Sequence, residues 1–317
     1  MSTINNRVLP RRDPVTAAKQ NHNVLNKYLF VFFFLAPGMA MFFAFFLMPV
    51  SNSVRYSLYD WNGFGPPTDY VGLENYDRLI HNEVFQGSIN HSLQIVALSL
   101  LLQLPLALGL AIMVGRGQLP GRQIFRTILF IPYVFSEILS AYIWAYVYHP
   151  RDGLVNWAAG SVIPNYENIP FLADRGVVMF AIFAVITWKY FGLHMILYMA
   201  ALQGVPEDLE DAARLDGATE AKVLQKVTIP LIGPTIRLTV YLSVLGSFQQ
   251  FVLIWILTEG GPANASQVIA TYLYKFGILS FKLGYGSAVA IILVVITLTF
   301  SLFYQFVIMR QDYSEAN

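Results

Sequence analysis

The sequence has no cysteine and little charge. Its 317 residues include no Cys, and only 12% are Asp, Glu, Lys or Arg. The absence of Cys excludes disulfides, thiolate nucleophiles and Cys-ligated metals. In soluble proteins about 25% of the residues are charged, which is about twice the fraction found here. In addition, 56% of this chain is hydrophobic, and its net charge is +1. We therefore expect lipid to cover much of the surface, and we expect no nucleic-acid partner.

Patterns that carry chemistry are also missing. The sequence nowhere reads G-x-x-x-x-G-K-[ST], the glycine-rich loop that cradles nucleotide phosphates. Its histidines are scattered, and His91 and His194 are too isolated to form a metal site. An intramembrane enzyme would need a nucleophile, a base or metal ligands that converge. We therefore expect no catalytic residue, no metal and no cofactor bound by this chain.

Six apolar runs are long enough to cross a bilayer, which takes about 20 predominantly apolar residues. The runs are Tyr28–Val50, Asn90–Val114, Thr127–Tyr148, Val177–Leu202, Leu231–Leu257 and Gly284–Met309. The first is too long for a signal-peptide core and precedes no A-x-A-like site, so we expect it to be an uncleaved span. The sequence therefore predicts an all-α, polytopic membrane protein with six transmembrane helices.

The distribution of Lys and Arg predicts the orientation of these spans. Twelve of these residues lie in the N-terminal tail, the second-to-third connection, the fourth-to-fifth connection and the C-terminus, and six lie in the other three loops. Cytoplasmic loops carry the excess of positive charge. Both termini and the fourth-to-fifth connection are therefore expected in the cytoplasm.

The fourth-to-fifth connection, residues 203–230, contains the longest strongly charged passage of the chain, and we call it the charged segment. Acidic residues after Pro206 crowd the start of a predicted helix, where the helix dipole favours negative charge. Gly217 suits a tight left-handed turn that ends this helix. Thr219 then begins a second helix, which Pro230 stops. On physical grounds alone, this pair of helices is either a functional element or an amphipathic connector of two spans.

Within the charged segment, DAARLDGATEAKVLQKVTIP resembles the EAA loop of ATP-binding-cassette importer permeases, which runs E-A-A, D-G-A and then I-x-x-P or I-x-L-P. Asp211 stands where this family has Glu, and Thr228 stands where a hydrophobic residue is usual. Further segments resemble the carbohydrate-uptake branch in the order that the family shows them: VGLENYDRL, FRTILFIP, PFLAD, ALQGVPEDL, LTEGGPANASQVIATYLY and GYGSAVA. The resemblance covers residues 28–309.

This resemblance implies a type I importer permease fold, with a permease domain at 28–309 between cytoplasmic tails at 1–27 and 310–317. In the family, the EAA loop docks on a cytoplasmic ATPase subunit and transmits its ATP-driven closure to the spans. The residues that the match assigns to ATPase coupling are Glu210, Asp211, Ala212, Ala213, Asp216, Gly217 and Ala218. The implied location is a bacterial cytoplasmic (inner) membrane. The implied partners are a second permease subunit in a heterodimer, two ATPase subunits that bind ATP and Mg²⁺, and an extracytoplasmic sugar-binding protein.

Polar faces on two spans indicate a solute pathway, because polar residues in spans usually face protein or a water-filled cavity. The face on the fifth span repeats at helical spacing and comprises Ser243, Gly246, Ser247 and Gln250. The stripe on the fourth span comprises Thr187, Tyr190, His194 and Tyr198. Faces of small residues also pack helices closely, but the amides of Gln249 and Gln250 need hydrogen-bond partners.

Resemblance to maltose-permease-like members of the family implies sugar contacts on or beside one set of positions: Trp188, Tyr190, Leu193, Ser243, Gly246, Ser247 and Gln250. The polar faces add His194 and Gln249. Glu137, on a stripe of the third span with Tyr133, either lines the pathway or pairs within the bundle. Lys189 either recognises an anionic sugar, or is directed toward the cytoplasm or paired.

The alternative is an ion-coupled secondary transporter of small polar solutes. Such a protein should show internal repeats and ion-binding carboxylates near the middle of the membrane. This sequence shows no clear repeat and one mid-span carboxylate, Glu137. We therefore predict the transmembrane subunit of an ATP-driven importer of a small sugar or sugar derivative, which works by alternating access.

Overall fold

The computed structural model describes residues 14–116 and 121–310 of the chain. Residues 1–13 of the predicted N-terminal tail and residues 311–317 of the predicted C-terminal tail lie outside the described residues. Within the described ranges the chain is helical and has no β-strand, only an isolated bridge between Tyr59 and Tyr70. The all-α prediction is therefore confirmed.

Helices follow one another along the whole described chain. The first are α1 (Pro14–Phe42, a π-helical turn at Phe43–Leu47, then Met48–Tyr56), α2 (Glu74–Ile80) and α3 (Glu83–Leu98, a π-helical turn at Ser99–Gln103, then Leu104–Arg116). The next are α4 (Arg122–Val134), α5 (Glu137–Val147), α6 (Leu154–Val162) and α7 (Val178–Gln203). The charged segment forms α8 (Glu207–Leu215) and α9 (Glu220–Val223, a π-helical turn at Leu224–Thr228, then Ile229–Leu231). The last are α10 (Gly233–Phe248), α11 (Val252–Thr258), α12 (Ile269–Tyr272, then π-helical Leu273–Ile278) and α13 (Leu283–Phe303, then π-helical Tyr304–Ile308).

The number of spans agrees with the sequence prediction when two bent helix pairs are each counted once. Four helical stretches are long and apolar enough to cross a membrane: Leu29–Tyr56, Glu83–Gly115, Val178–Gln203 and Leu283–Ile308. Two pairs pass the same test together, with bends of 103° for Arg122–Val134 with Glu137–Val147 and 67° for Glu220–Leu231 with Gly233–Phe248. The described chain therefore contains four continuous candidate spans, or six with the bent pairs.

The chain divides into two compact units, Met1–Arg55 and Tyr56–Asn317. The first unit contains most of α1, which begins at Pro14 and therefore extends into the predicted tail. Proline is favoured in the first turn of a helix, where its missing N–H costs nothing. In the most apolar stretch of α1 no described residue is buried, as expected for a helix that faces lipid.

In the second unit, α7 is the central helix. It is predominantly apolar, and 15 of its 26 residues are buried, as is typical of a helix enclosed by its neighbours. It packs against α3, α4, α5 and α10. Ile182 belongs to a core cluster that includes Leu253 of α11, and Met195 belongs to a second cluster that includes Ala107 of α3. A polar face on α7 therefore meets protein and not lipid.

A close contact between α4 and α7 depends on Gly192. A β-carbon at residue 192 would lie 2.5 Å from the carbonyl oxygen of Leu129 and 3.2 Å from the Cα atom of Phe130. Small residues let membrane helices approach each other closely, and this close packing drives their association. The glycine therefore determines how near α4 lies to the central helix.

We expect Gly192→Val to lower the thermal unfolding midpoint of the purified protein, because overpacking costs about 1–3 kcal/mol. Gly109→Val on α3 is the matched control, because a β-carbon at residue 109 would meet no described heavy atom within 4 Å. Melting curves of both variants in the same detergent measure the difference. Equal midpoints would contradict the close contact of α4 and α7.

The predicted third span is not one continuous helix. Pro132 lies in the last turn of α4 and cannot donate a backbone hydrogen bond. Phe135 and Ser136 are extended, and the Ser136 side chain caps α5 by accepting a hydrogen bond from the backbone N–H of Leu139 at 3.2 Å. Tyr133 and Glu137 therefore lie on different helices, so the stripe predicted for them is interrupted by the bend.

The predicted fifth span is broken as well. The helix α10 ends at Phe248 and α11 begins at Val252, with residues 249–251 outside either helix. Gln249 and Gln250 therefore lie in the break. Ser243, Gly246 and Ser247 remain on one helical face of α10, as the sequence predicts.

Candidate functional site

Helices α3, α5, α7 and α10 surround a cavity of about 310 Å³. We call it the central cavity. The residues that line it are Ser99, Gln103, Glu137, Ile186, Tyr190, Leu193, His194, Leu242, Ser243, Gly246, Ser247, Gln249 and Gln250. Most of these side chains are polar, although they lie among helices that are otherwise apolar.

Eight of the nine predicted sugar-contact residues line the central cavity together with Glu137. Three come from one face of α7, where Tyr190, Leu193 and His194 follow the i, i+3, i+4 spacing. The other five lie on α10 and in the break that follows it: Ser243, Gly246, Ser247, Gln249 and Gln250. The structure thus brings the two predicted faces together, and their contact with a solute stays a prediction.

Trp188 and Lys189 do not line the central cavity. The ring of Trp188 lies 6.3 Å from the ring of Phe135 and 5.6 Å from that of Trp144. Successive residues of an α-helix point about 100° apart, so residues 188 and 189 leave the face that Tyr190 presents. Lys189 is 4% exposed and donates hydrogen bonds to the backbone oxygens of Phe135 at 2.5 Å and Tyr133 at 3.3 Å.

Two buried polar atoms in the wall of the central cavity lack a hydrogen-bond partner among the described residues. They are Oε1 of Gln250 and Nδ1 of His194, whose side chains are 7% and 4% exposed. A buried polar group without a partner costs about 1–3 kcal/mol. Such groups in a folded protein indicate a bound water, ion or ligand, so this wall has the chemistry of a binding site for a polar molecule.

The helix break at residues 249–251 is a second indication of a water-filled pathway. In a membrane, non-helical backbone is tolerated only where protein buries it or where it lines a water-filled cavity. Gln249 and Gln250 lie in the break and also line the central cavity. Discontinuous helices near the membrane midplane form the solute sites of many transporters.

Four residues of the cavity wall were absent from the sequence prediction: Ser99, Gln103, Ile186 and Leu242. Ser99 and Gln103 are buried at opposite ends of the π-helical turn in α3. Only Gln103 left a signal in the sequence, because a glutamine amide inside a span needs partners. Ile186 and Leu242 are apolar and carried no signal.

Glu137 is held against α7 by a hydrogen bond. The hydroxyl of Tyr190 donates to Oε1 of Glu137, and both residues line the central cavity. This bond joins α5, at the start of which Glu137 lies, to the central helix. Glu137 therefore both pairs within the bundle and lines the cavity, which were the two alternatives that the sequence left open.

The charged segment folds as two helices around a glycine hinge. Gly217 has φ +82°, in the left-handed region that glycine adopts without strain, and this confirms the predicted turn. Pro206 precedes the first turn of α8, which contains the acidic residues Glu207, Asp208 and Glu210. Thr219 is the N-cap residue of α9 but makes no capping bond through its side chain.

Arg214 connects the two helices across the hinge. Its guanidinium lies 2.8 Å from Glu220 of α9 and 2.7 Å from Asp211 of α8. The hydrogen bonds that the guanidinium donates, first to Glu220 and then to Asp211, raise the pKa of Arg214. The two ion pairs of Arg214 are exposed, so they add little to stability, but their geometry orients α9 relative to α8.

A buried bond holds the same two helices together on their inner side. Glu210 is 6% exposed and Thr228 is fully buried, and the Thr228 hydroxyl donates to Oε1 of Glu210 at 2.5 Å. Thr228 stands at a position where the EAA loops of the family usually have a hydrophobic residue. In the structure it is a hydrogen-bond donor to a buried carboxylate, so the departure has a structural role.

Comparisons with known proteins agree with this architecture. Residues 103–313 match the family described as binding-protein-dependent transport system inner membrane component. The chain is 31% identical over 283 residues to the probable ABC transporter permease protein YurN of Bacillus subtilis, which covers 89% of this chain and 95% of YurN. It is 28% identical over 302 residues to the diacetylchitobiose uptake system permease protein NgcF of Streptomyces coelicolor, which covers 92% of this chain and 83% of NgcF.

A solved structure shares the fold. In a bacterial alginate ABC transporter crystallised with its alginate pentasaccharide-bound periplasmic protein, one chain superposes with a TM-score of 0.78 at 23% identity. The match covers 90% of this chain and 95% of that chain. The family match and the relatives confirm the resemblance that the sequence motifs indicate. This chain belongs to the family of binding-protein-dependent transport system inner membrane components, the permease subunits of ABC importers.

Proposed function

We propose that this chain forms half of the translocation pathway of an ATP-driven sugar importer, with the solute passing through the central cavity. One observation carries the proposal. Buried polar atoms of Gln250 and His194 have no partner in the described structure and lie in a cavity between two spans. The family assignment supports it, as does a relative whose name describes uptake of diacetylchitobiose.

The sugar contacts proposed on this chain are the residues of α7 and α10 that line the central cavity. Amides, hydroxyls and the imidazole pair with sugar hydroxyls, and the ring of Tyr190 offers a surface for the apolar face of a sugar. Glycine at 246 leaves space for a ring, because it adds no side chain to the wall. Trp188 lies behind this wall against Trp144 and Phe135, where it supports the position of α7.

We propose that the charged segment is the coupling element. Its acidic first turn, the hinge at Gly217 and the links from Arg214 and Glu210 give a small rigid unit. That unit docks on a separate ATPase subunit. A separate subunit is needed because the sequence of this chain has no phosphate-binding loop. ATP closes the two ATPase subunits and opens the central cavity to the outside. A loaded binding protein then delivers sugar, and hydrolysis returns the cavity to the cytoplasmic side.

The rest of the assembly follows from the same proposal. A second permease subunit supplies the other half of the pathway, as a heterodimer. Both chain termini and the charged segment lie in the cytoplasm, since twelve Lys and Arg residues fall on that side and six on the other. The chain itself carries out no chemical step.

Gln250→Ala tests the pathway. In an importer reconstituted with its partner subunits, we expect sugar uptake to fall by about two- to tenfold, because one hydrogen bond contributes about 0.5–1.5 kcal/mol. Basal ATPase activity and assembly should persist, since no packed core is removed. Uptake of radiolabelled sugar and ATP hydrolysis are measured on the same proteoliposomes.

Leu238→Ala is the control for this substitution. Leu238 lies on α10 and is 37% exposed, and it does not line the central cavity. Its replacement should leave uptake near the native rate. Equal uptake by the Gln250 variant and the native importer would remove the central cavity from the pathway.

A further inference from the structure

The lining of the central cavity carries negative charge. Among the described residues that line it, Glu137 is the one carboxylate, and neither Lys nor Arg is present. His194 has no carboxylate partner and is 4% exposed. Charging a buried group without a partner is costly, so the imidazole faces the cavity as a neutral ring.

The nearby Lys189 attracts Glu137 electrostatically but does not line the central cavity. Lys189 donates to two backbone oxygens at the break between α4 and α5. Its ammonium also lies 5.5 Å from the centre of the Tyr190 ring and 5.9 Å from that of Tyr133. These contacts place its charge at the carboxyl end of α4, where a cation is favourable. Lys189 therefore stabilises the helix break.

Two of the unused hydrogen-bonding atoms of the wall are acceptors that cannot donate. Tyr190 occupies Oε1 of Glu137, and no hydrogen bond in the described structure reaches Oε2. Oε1 of Gln250 is also without a partner among the described residues. A carboxylate can only accept, and so can the oxygen of an amide. These two atoms therefore need a solute that donates, as a sugar hydroxyl or an N-acetyl N–H does.

An anionic group cannot donate to these two acceptors. Phosphate dianions and carboxylates accept hydrogen bonds and carry the same charge as Glu137, and like charges placed together in a buried interface disfavour binding strongly. We infer that the central cavity selects uncharged, hydroxyl-rich sugars and rejects phosphorylated or uronic sugars, with Glu137 as the residue that sets this preference. This inference rests on the proposed function and narrows its substrate class.

Matched pairs of sugars test the inference on the purified importer with all its subunits. The probes are glucose against glucuronic acid, and maltose against maltose 1-phosphate. Binding to the complex in nanodiscs, without binding protein and with a non-hydrolysable ATP analogue, is followed by saturation-transfer NMR. We expect each neutral sugar to bind at least about tenfold more tightly than its charged counterpart.

Two substitutions should change this ratio in a defined direction. Glu137→Gln should narrow the gap to about threefold or less, and Leu193→Lys, which adds a cation to the wall, should reverse it. Glu167→Gln, at an exposed carboxylate outside the central cavity, should leave the ratio unchanged. The ratio is measured within one preparation, so a loss of folded importer does not alter it.

The possible outcomes distinguish a failure of this inference from a failure of the proposed function. Equal or tighter binding of the charged sugars by the native importer would overturn the inference and leave the sugar-importer proposal standing. An unchanged ratio in Glu137→Gln would overturn the role of this residue. Absence of binding by all four probes would count against the proposed function and the inference together.

Discussion

Gly217→Val is expected to lower ATP-driven sugar uptake at least about tenfold in the reconstituted importer. Gly217 has φ +82°, and an L-residue in the left-handed region costs about 1–2 kcal/mol, more when it is β-branched. Relief of this strain rotates α9 away from α8 and separates Arg214 from Glu220, which lie 2.8 Å apart. The docking unit then loses its shape. Uptake and ATP hydrolysis, measured together, should show hydrolysis that no longer drives transport.

Gly217→Asn is the matched comparison for this variant. Asparagine tolerates the left-handed conformation, and a β-carbon at residue 217 would meet no described heavy atom within 4 Å. Uptake by the asparagine variant should therefore stay within about twofold of the native rate. If valine and asparagine gave the same uptake, strain at the hinge would play no part in coupling.

Glu210→Lys is expected to abolish recovery of the intact complex. The carboxylate of Glu210 is buried, accepts a hydrogen bond from Thr228 at 2.5 Å and lies 3.8 Å from Arg214. Reversing its charge places an ammonium beside a guanidinium, and an uncompensated buried charge costs about 3–5 kcal/mol. The two helices of the charged segment should separate, so the ATPase subunits should no longer copurify with the membrane subunits.

Asp208→Lys introduces the same change of charge on the same helix. Asp208 is exposed in the first turn of α8, so its reversal costs only the interaction with the helix dipole, about 0.3–1 kcal/mol. Copurification of the ATPase subunits with this variant should continue. If the ATPase subunits copurified with the Glu210→Lys variant at the native level, the buried carboxylate would not be needed to maintain the docking unit.

The helical architecture could be predicted because its signals are local. Apolar runs of about 20 residues determine where spans occur, and Pro206 and Gly217 mark the start and end of α8. The polar face of α10 could be identified because Ser243 and Ser247 follow helical spacing. These features depend on residues near one another in the chain, so periodicity and capping rules describe them.

The helix breaks could not be predicted, because they depend on contacts between distant residues. Phe135 and Ser136 are extended where the sequence shows one apolar run. The backbone oxygen of Phe135 at that bend accepts a hydrogen bond from Lys189, which is 54 residues further along the chain. Pro132 gave a signal for a kink, but a proline alone does not indicate a bend of 103°. The partner that stabilises the bend is visible only in three dimensions.

The composition of the cavity wall was partly predictable for a similar reason. The faces of α7 and α10 were apparent from spacing, whereas Ser99 and Gln103 contribute through a π-helical turn that the sequence does not announce. Thr228 shows the same limit in the charged segment. Its hydroxyl matters only because Glu210, 18 residues earlier, is buried against it.

The measurement that tests the account most directly is solute uptake by proteoliposomes of defined composition. The chain is reconstituted alone, or with its second permease subunit and ATPase subunits, and the radiolabelled sugar that the binding protein recognises is supplied with that protein. The account predicts accumulation only in the complete assembly and only with ATP on the side of the ATPase subunits. Accumulation driven by a proton or sodium gradient in vesicles that hold this chain alone would contradict it.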